Sequence, residues 1–145
     1  MKGRLDEVMD LLREVLASGG EFQIAPEGTS MLPLIRPGRD TVILVRPHHP
    51  LSAGAIILYQ RSSGAWVLHR ILAVTEAGYT LCGDNQTAVE PGIRPDQVVG
   101  LVRTILREGK PLKEQQLRWQ LYRIAWRHLP LRRILLGIHR RLRRQ

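Results

Sequence analysis

The stretch TVILVRPHHPLSAGAIILYQRSSGAWVLHRILAV, residues 41–74, holds three apolar runs, at 41–45, 55–59 and 65–74. Each is rich in Val, Ile and Leu and is bounded by turn-forming residues: Pro47-His48-His49-Pro50 follows the first, and Ser62-Ser63-Gly64 precedes the third. No run of helical period separates them, so the segment predicts strands joined by loops and one tight hairpin, not βαβ units. Working outward, residues 22–25 predict a short strand before this stretch. Residues 79–82 predict another after it, and 98–106 a last strand that closes the sheet. The expected fold class is mainly β.

Both flanks read differently. Leu5, Val8, Met9, Leu12 and Leu16 recur at helical spacing, with acids and Arg13 opposite, until Ser18-Gly19-Gly20 stops the pattern. This predicts an amphipathic helix of about four turns that packs on the domain's own sheet, the alternative being a helix that docks on a membrane or a partner. After Gly109-Lys110-Pro111 the composition changes, and residues 115–128 and 131–144 predict two helices separated at Pro130. The expected organisation is an N-terminal helix over 1–20, a β-domain over 21–108 and a basic amphipathic helical tail over 109–145. All 13 acidic residues fall at or before Glu114, together with 13 basic ones, so the net charge of +9 comes entirely from nine arginines in the tail. Leu131, Ile134, Leu135, Ile138 and Leu142 form its apolar stripe, and Trp119, Tyr122 and Trp126 sit at helical spacing before it. A basic amphipathic helix with tryptophans suits the plane of an anionic bilayer, where each arginine contributes on the order of 1 kcal/mol.

Hydrophobic and charged fractions of 43% and 24% are those of a folded protein and exclude wholesale disorder. The single cysteine, Cys82, excludes an internal disulfide and reads as a small core residue. His48-His49 has no spaced Cys or His partners, so neither a metal nor an organic cofactor is expected. No apolar run approaches the roughly 20 residues of a membrane span. Acids from Asp6 to Glu14 interrupt any signal-peptide core. The expected location is cytoplasmic or peripheral to a membrane.

Three short motifs carry chemistry. Gly28-Thr29-Ser30-Met31-Leu32-Pro33 presents a serine between a glycine and a rigid exit, Leu68-His69-Arg70 places a histidine in mid-strand, and Gly83-Asp84-Asn85 forms a turn. A serine hydroxyl is a weak nucleophile unless a base takes its proton, and histidine, with an ordinary pKa near neutrality, is the suitable base. Alternation along the strand puts Arg70 on the face opposite His69, which reads as a sheet-edge or surface charge.

In this order the three motifs resemble the type I signal peptidase superfamily, over roughly residues 23–102. The likeness is greatest to the branch of endoplasmic reticulum and archaeal enzymes that pairs serine with histidine in place of lysine. The resemblance implies a signal-peptidase-like β-core, Ser30 as nucleophile, His69 as base, the Ser30 N–H as oxyanion donor and a preference for small residues just before the cut. In that branch a second aspartate follows Gly-Asp-Asn and partners the histidine; here Glu90 stands in its place, so either Glu90 or Asp84 is the acid that orients His69. Some bacterial relatives add a serine hydroxyl at the position of Gly28, which offers none. Gly38-Arg39-Asp40 and Ala55 also depart from the family's pattern, away from the nucleophile. A membrane anchor usually precedes the nucleophile in signal peptidases and is not seen here, which points to a leader peptide processed in the cytosol.

The expected function is therefore a serine endopeptidase cleaving a leader or signal peptide at a membrane surface. Its expected partners are a peptide or preprotein substrate and an anionic membrane bound by the tail; nucleic acid is not an expected partner of this enzyme. The alternative is a catalytically silent β-scaffold whose Arg-rich tail binds a membrane or nucleic acid. The self-cleaving SOS repressors share the superfamily, but they use a lysine base and carry a DNA-reading domain, for which the single N-terminal helix is too short.

Overall fold

Short apolar runs with turn residues between them fold as strands, and here they form one antiparallel sheet. The computed structural model describes residues 3–112. In chain order these form α1 (Arg4–Ala17), β1 (Phe22–Ile24), β2 (Asp40–Val45), β3 (Ile56–Gln60), β4 (Trp66–Thr75), β5 (Gly78–Cys82) and β6 (Glu90–Ile93). A 3₁₀ turn (Pro95–Gln97), β7 (Val98–Arg107) and β8 (Lys110–Pro111) follow. The strand order is β1-β2-β7-β3-β4-β5-β6, with β8 also paired to β7. The two helices expected over 115–128 and 131–144 lie outside the described residues.

Alternation explains how this sheet is buried. Ile56 and Leu58 of β3 pack into one apolar cluster with Val42, Leu44, Val102 and Ile105. Ile57 and Tyr59 point the other way, into a second cluster with Ile71, Tyr79 and Leu81. A strand covered on both faces needs no polar face, which is why residues 55–59 read as an unbroken apolar run. The helix covers the first cluster with Met9, Leu12 and Leu16, and its Arg13 guanidinium lies 5.1 Å over the Trp66 ring. Leu5 and Val8, on the same apolar stripe in sequence, instead border an open groove between α1 and β1.

The strand expected to close the sheet is central to it. β7 pairs with β2 along one edge and with β3 and then β8 along the other. Two strands escape sequence reading, β6 and β8, because both contain proline and β6 also contains glycine. Proline is tolerated at a sheet's margin, where no ladder partner needs its missing N–H, and both strands lie at margins. β8 carries the sheet to Pro111, into the stretch read as the start of the tail, and Leu112 donates its N–H to the Ile105 carbonyl at 3.2 Å.

Between β1 and β2 the chain makes a long loop that carries Ser30. Met31, Leu32, Leu34 and Ile35 are buried, so the loop is pinned to the core just after the serine. Its far end is held by Asp40, a buried carboxylate that accepts from the Arg36 N–H at 2.9 Å and from the guanidinium groups of Arg39 and Arg107. Burial alone would raise the pKa of Asp40, but these donors outweigh it and hold the carboxyl below its ordinary value.

Candidate active site

The site is assembled from three pieces that the fold brings together: the Ser30 loop, mid-strand β4 and the β5–β6 loop. The Ser30 loop turns tightly, with Leu32 N–H donating to the Thr29 carbonyl at 3.2 Å and Ile35 N–H to that of Met31 at 3.0 Å. The Leu32–Pro33 peptide is cis. Ser30 is half-buried at the start of this turn. It borders a small cavity of about 120 Å³ lined by Pro26, Met31, Ile35, Trp66 and Leu68.

His69 stands on β4 opposite Ile57 and is 4% exposed. The Ser30 backbone carbonyl and the His69 ring both approach Gly83. A Cβ on Gly83 would stand 2.6 Å from the Ser30 carbonyl oxygen and 3.0 Å from both His69 Nε2 and Gln86 Oε1. Glycine is required here by space, since only its bare Cα lets the three groups converge. Asn85 then ties the turn to the serine loop: its N–H donates to the Ser30 carbonyl at 2.8 Å and its side-chain amide to the Thr29 carbonyl at 3.1 Å. The Cys82 thiol, buried as expected, donates to the Ala88 carbonyl at 3.0 Å and holds the far end of the same loop.

This convergence makes a direct prediction. Gly83→Ala places a methyl against a backbone oxygen that Asn85 holds in place, so the Ser30 loop or the Gly83 turn must shift. Overpacking of this kind costs about 1–3 kcal/mol, and if Ser30 and His69 act as a catalytic pair, a displacement of about 1 Å between them costs on the order of 10²-fold in rate. Activity is expected to fall far more than stability. Urea melts and peptide turnover measured on the same preparation check this; unchanged turnover would show that the approach at Gly83 does not position Ser30.

The two candidate acids have different partners. Asp84 is 1% exposed and both its oxygens accept from Arg70, Oδ1 from Nε and Oδ2 from Nη2, each at 2.8 Å. Arg70 also donates Nη1–H to the Gly54 carbonyl at 2.7 Å. The expectation that Arg70 is an edge or surface charge is overturned: it is fully buried. Alternation gave its face correctly, but the carboxylate that makes burial tolerable comes from a turn fourteen residues later.

Glu90, the first residue of β6, is connected to the imidazole through Tyr59. Its carboxylate accepts from the Tyr59 hydroxyl and from Arg61 Nε, at 3.2 Å to Oε1 and 3.0 Å to Oε2. The same Tyr59 hydroxyl stands 3.3 Å from His69 Nδ1. Burial pushes the pKa of Glu90 up, but the hydrogen bonds from Tyr59 and Arg61 and the charges of Arg61 and His69 outweigh it, leaving Glu90 more acidic than usual. The Tyr59 hydroxyl is pushed well above its ordinary value, by burial first and then by the neighbouring carboxylate.

Tyr59 is the site residue that sequence reading missed, appearing there only as the last apolar residue of a strand. The signal was present in the hairpin. Ser62-Ser63-Gly64 sets a register in which Tyr59 faces Val67, and that makes it the diagonal neighbour of His69 on the same face of the sheet. Among the described residues no group of three His, Cys, Asp or Glu side chains is placed to hold a metal ion. No family model, curated protein or solved structure matches the chain, so the chemistry of the site is read from its own geometry.

Proposed function

We propose that this protein is a serine endopeptidase with a signal-peptidase-like β-core, in which Ser30 is the nucleophile and His69 its base. The observation that carries this reading is the convergence of the Ser30 loop and His69 Nε2 on Gly83. In the proposed reaction Nε2 takes the Ser30 hydroxyl proton as Oγ attacks the scissile carbonyl. The C–N bond then breaks, the imidazolium returns the proton to the departing amine, and an ester to Ser30 remains. Water attacks the ester by the same route, its proton passing through Nε2 to Ser30 Oγ as the peptide acid leaves. The Ser30 N–H is the donor assigned to the developing oxyanion.

The small cavity beside Ser30 suits a short side chain at the residue before the cut, in keeping with a leader or signal peptide bearing small residues there. The arginines beyond Glu114, outside the described residues, would hold the enzyme to an anionic membrane surface. No helix among the described residues is long and apolar enough to cross a membrane.

The test is digestion of a mixed peptide library by wild-type and Ser30→Ala protein with anionic vesicles present, read by mass spectrometry, alongside labelling with a serine-reactive phosphonate. The expected outcome is a set of cuts after small residues, and labelling of Ser30, both absent from the variant. A wild-type protein that neither cuts nor labels would overturn the reading in favour of a silent binding scaffold.

A further inference from the structure

We propose that Tyr59 is a positioning residue that locks His69 in the Nδ1–H tautomer and couples the Glu90 carboxylate to the imidazole through its own hydroxyl. The inference rests on the peptidase reading for its functional meaning, and on hydrogen-bond accounting for its chemistry.

A carboxylate can only accept hydrogen bonds, and a phenol has one proton to give. Glu90 is held in its ionised form by Arg61 and Tyr59, so the Tyr59–Glu90 bond must use the phenolic proton. What remains on the Tyr59 oxygen is lone pairs. Toward His69 Nδ1, 3.3 Å away, Tyr59 can therefore act only as acceptor, and Nδ1 must carry the ring proton. In the neutral ring Nε2 is then unprotonated, and Nε2 is the nitrogen that faces the meeting point with the Ser30 carbonyl at Gly83. The chain Glu90–Tyr59–His69 thus leaves the basic lone pair on the side where the nucleophile loop stands.

The same chain acts during the reaction. When Nε2 takes the Ser30 proton the ring becomes cationic, and its Nδ1–H bond to the polarised Tyr59 oxygen strengthens. No proton passes to Glu90: Nδ1 and Tyr59 keep theirs, and the transferred proton leaves from Nε2. The other ionisable groups on the surrounding elements are Arg61 after β3, the Arg70–Asp84 pair of β4 and the following turn, and Tyr79 and Cys82 of β5, the Tyr79 hydroxyl being engaged by His49 and the Leu51 N–H. Both Asp84 oxygens accept from Arg70, whereas Glu90 accepts from the hydroxyl that stands against the ring.

The experiment is imidazole ¹⁵N spectroscopy of the full chain at a pH where His69 is neutral, with the His69 signals identified by their loss in His69→Gln. Wild type is expected to show a protonated, pyrrole-type Nδ1 and a pyridine-type Nε2. Tyr59→Phe keeps the ring volume and removes the acceptor, and is expected to release the lock toward the Nε2–H form that imidazole favours in water. Glu90→Gln serves as a second variant that leaves the Tyr59 packing in place; it replaces an acceptor-only group with one that can also donate to the Tyr59 oxygen, and is expected to loosen the same preference. On any peptide that wild type cleaves, Tyr59→Phe should lower kcat by about 10²–10⁴-fold, as expected for a wrongly tautomerised base, with KM within about twofold, as for an interaction that matters chiefly in the transition state. A pyridine-type Nδ1 in wild type, or a tautomer indifferent to Tyr59→Phe, overturns the inference whatever the activity. A locked tautomer in a protein that cleaves nothing would leave the hydrogen-bond chain standing and remove the peptidase reading instead.

Discussion

Ser30→Ala, His69→Ala and the double variant are expected to cleave the same peptide at the same residual rate, each on the order of 10⁴- to 10⁶-fold below wild type. The equality follows from the proposed chemistry. Without the hydroxyl, His69 has no proton to take; without the imidazole, the hydroxyl is too weakly nucleophilic to attack. Each loss therefore removes the whole pathway, and removing both costs nothing further. What survives is substrate binding and the Ser30 backbone N–H, which all three variants retain. Stability should separate the two single variants: Ser30 is half-buried and its truncation costs within about 0.5 kcal/mol. His69 is buried beside Tyr59, and its removal leaves an unfilled space and an unmatched acceptor worth about 1–3 kcal/mol. Turnover of a soluble peptide normalised to folded protein is the measurement. A His69→Ala enzyme within tenfold of wild type would exclude His69 as the base, and losses that multiply in the double variant would mean that the two residues act independently.

How much of this was legible in the sequence depends on which physical signal each residue carries. Strands β2, β3, β4, β5 and β7 announce themselves as apolar runs between turn residues. Their neighbours do not, because a run such as 98–106 says that a strand is buried without saying what lies on either edge; its central place between β2 and β3 emerges only from pairing. β6 and β8 were hidden by Pro91, Gly92 and Pro111, residues that argue against a strand unless its position at the margin is already known. Ser30 and His69 stood out through local motifs and a family resemblance, but Gly83 as their meeting point needed coordinates, since nothing in Gly83-Asp84-Asn85 distinguishes a glycine required by close approach from one in an ordinary turn. Arg70 shows the limit of period-two reasoning most plainly. Alternation reports which face a side chain takes, while its depth depends on whether a partner charge arrives from elsewhere.

That partner makes the second large effect. Arg70 and Asp84 are 0% and 1% exposed and joined by two parallel hydrogen bonds, so removing one charge strands the other in the interior. Asp84→Asn, nearly isosteric, should destabilise the fold by about 3–5 kcal/mol. At roughly 4–8 °C per kcal/mol for a domain of this size, the melting temperature should fall by roughly 12–40 °C. Arg70→Met should do comparable damage by leaving Asp84 charged and the Gly54 carbonyl unmatched. The combination Arg70→Met with Asp84→Leu removes both charges and fills the space with apolar atoms, and buried pairs replaced in this way regain much or all of the lost stability. The pair also has a positional consequence, because Asp84 lies between Gly83 and Asn85, the residues that meet and hold the Ser30 loop. An apolar replacement has no directional bond to fix that turn, so the double variant is expected to melt near wild type yet cleave more slowly than it. Urea midpoints at constant m-value and peptide turnover, measured together, separate the two contributions. An Asp84→Asn protein within about 1 kcal/mol of wild type would show that the guanidinium finds water or another acceptor in place of the lost charge. A double variant that is both stable and fully active would assign the ion pair to stability alone and leave the placement of Ser30 to Gly83 and Asn85.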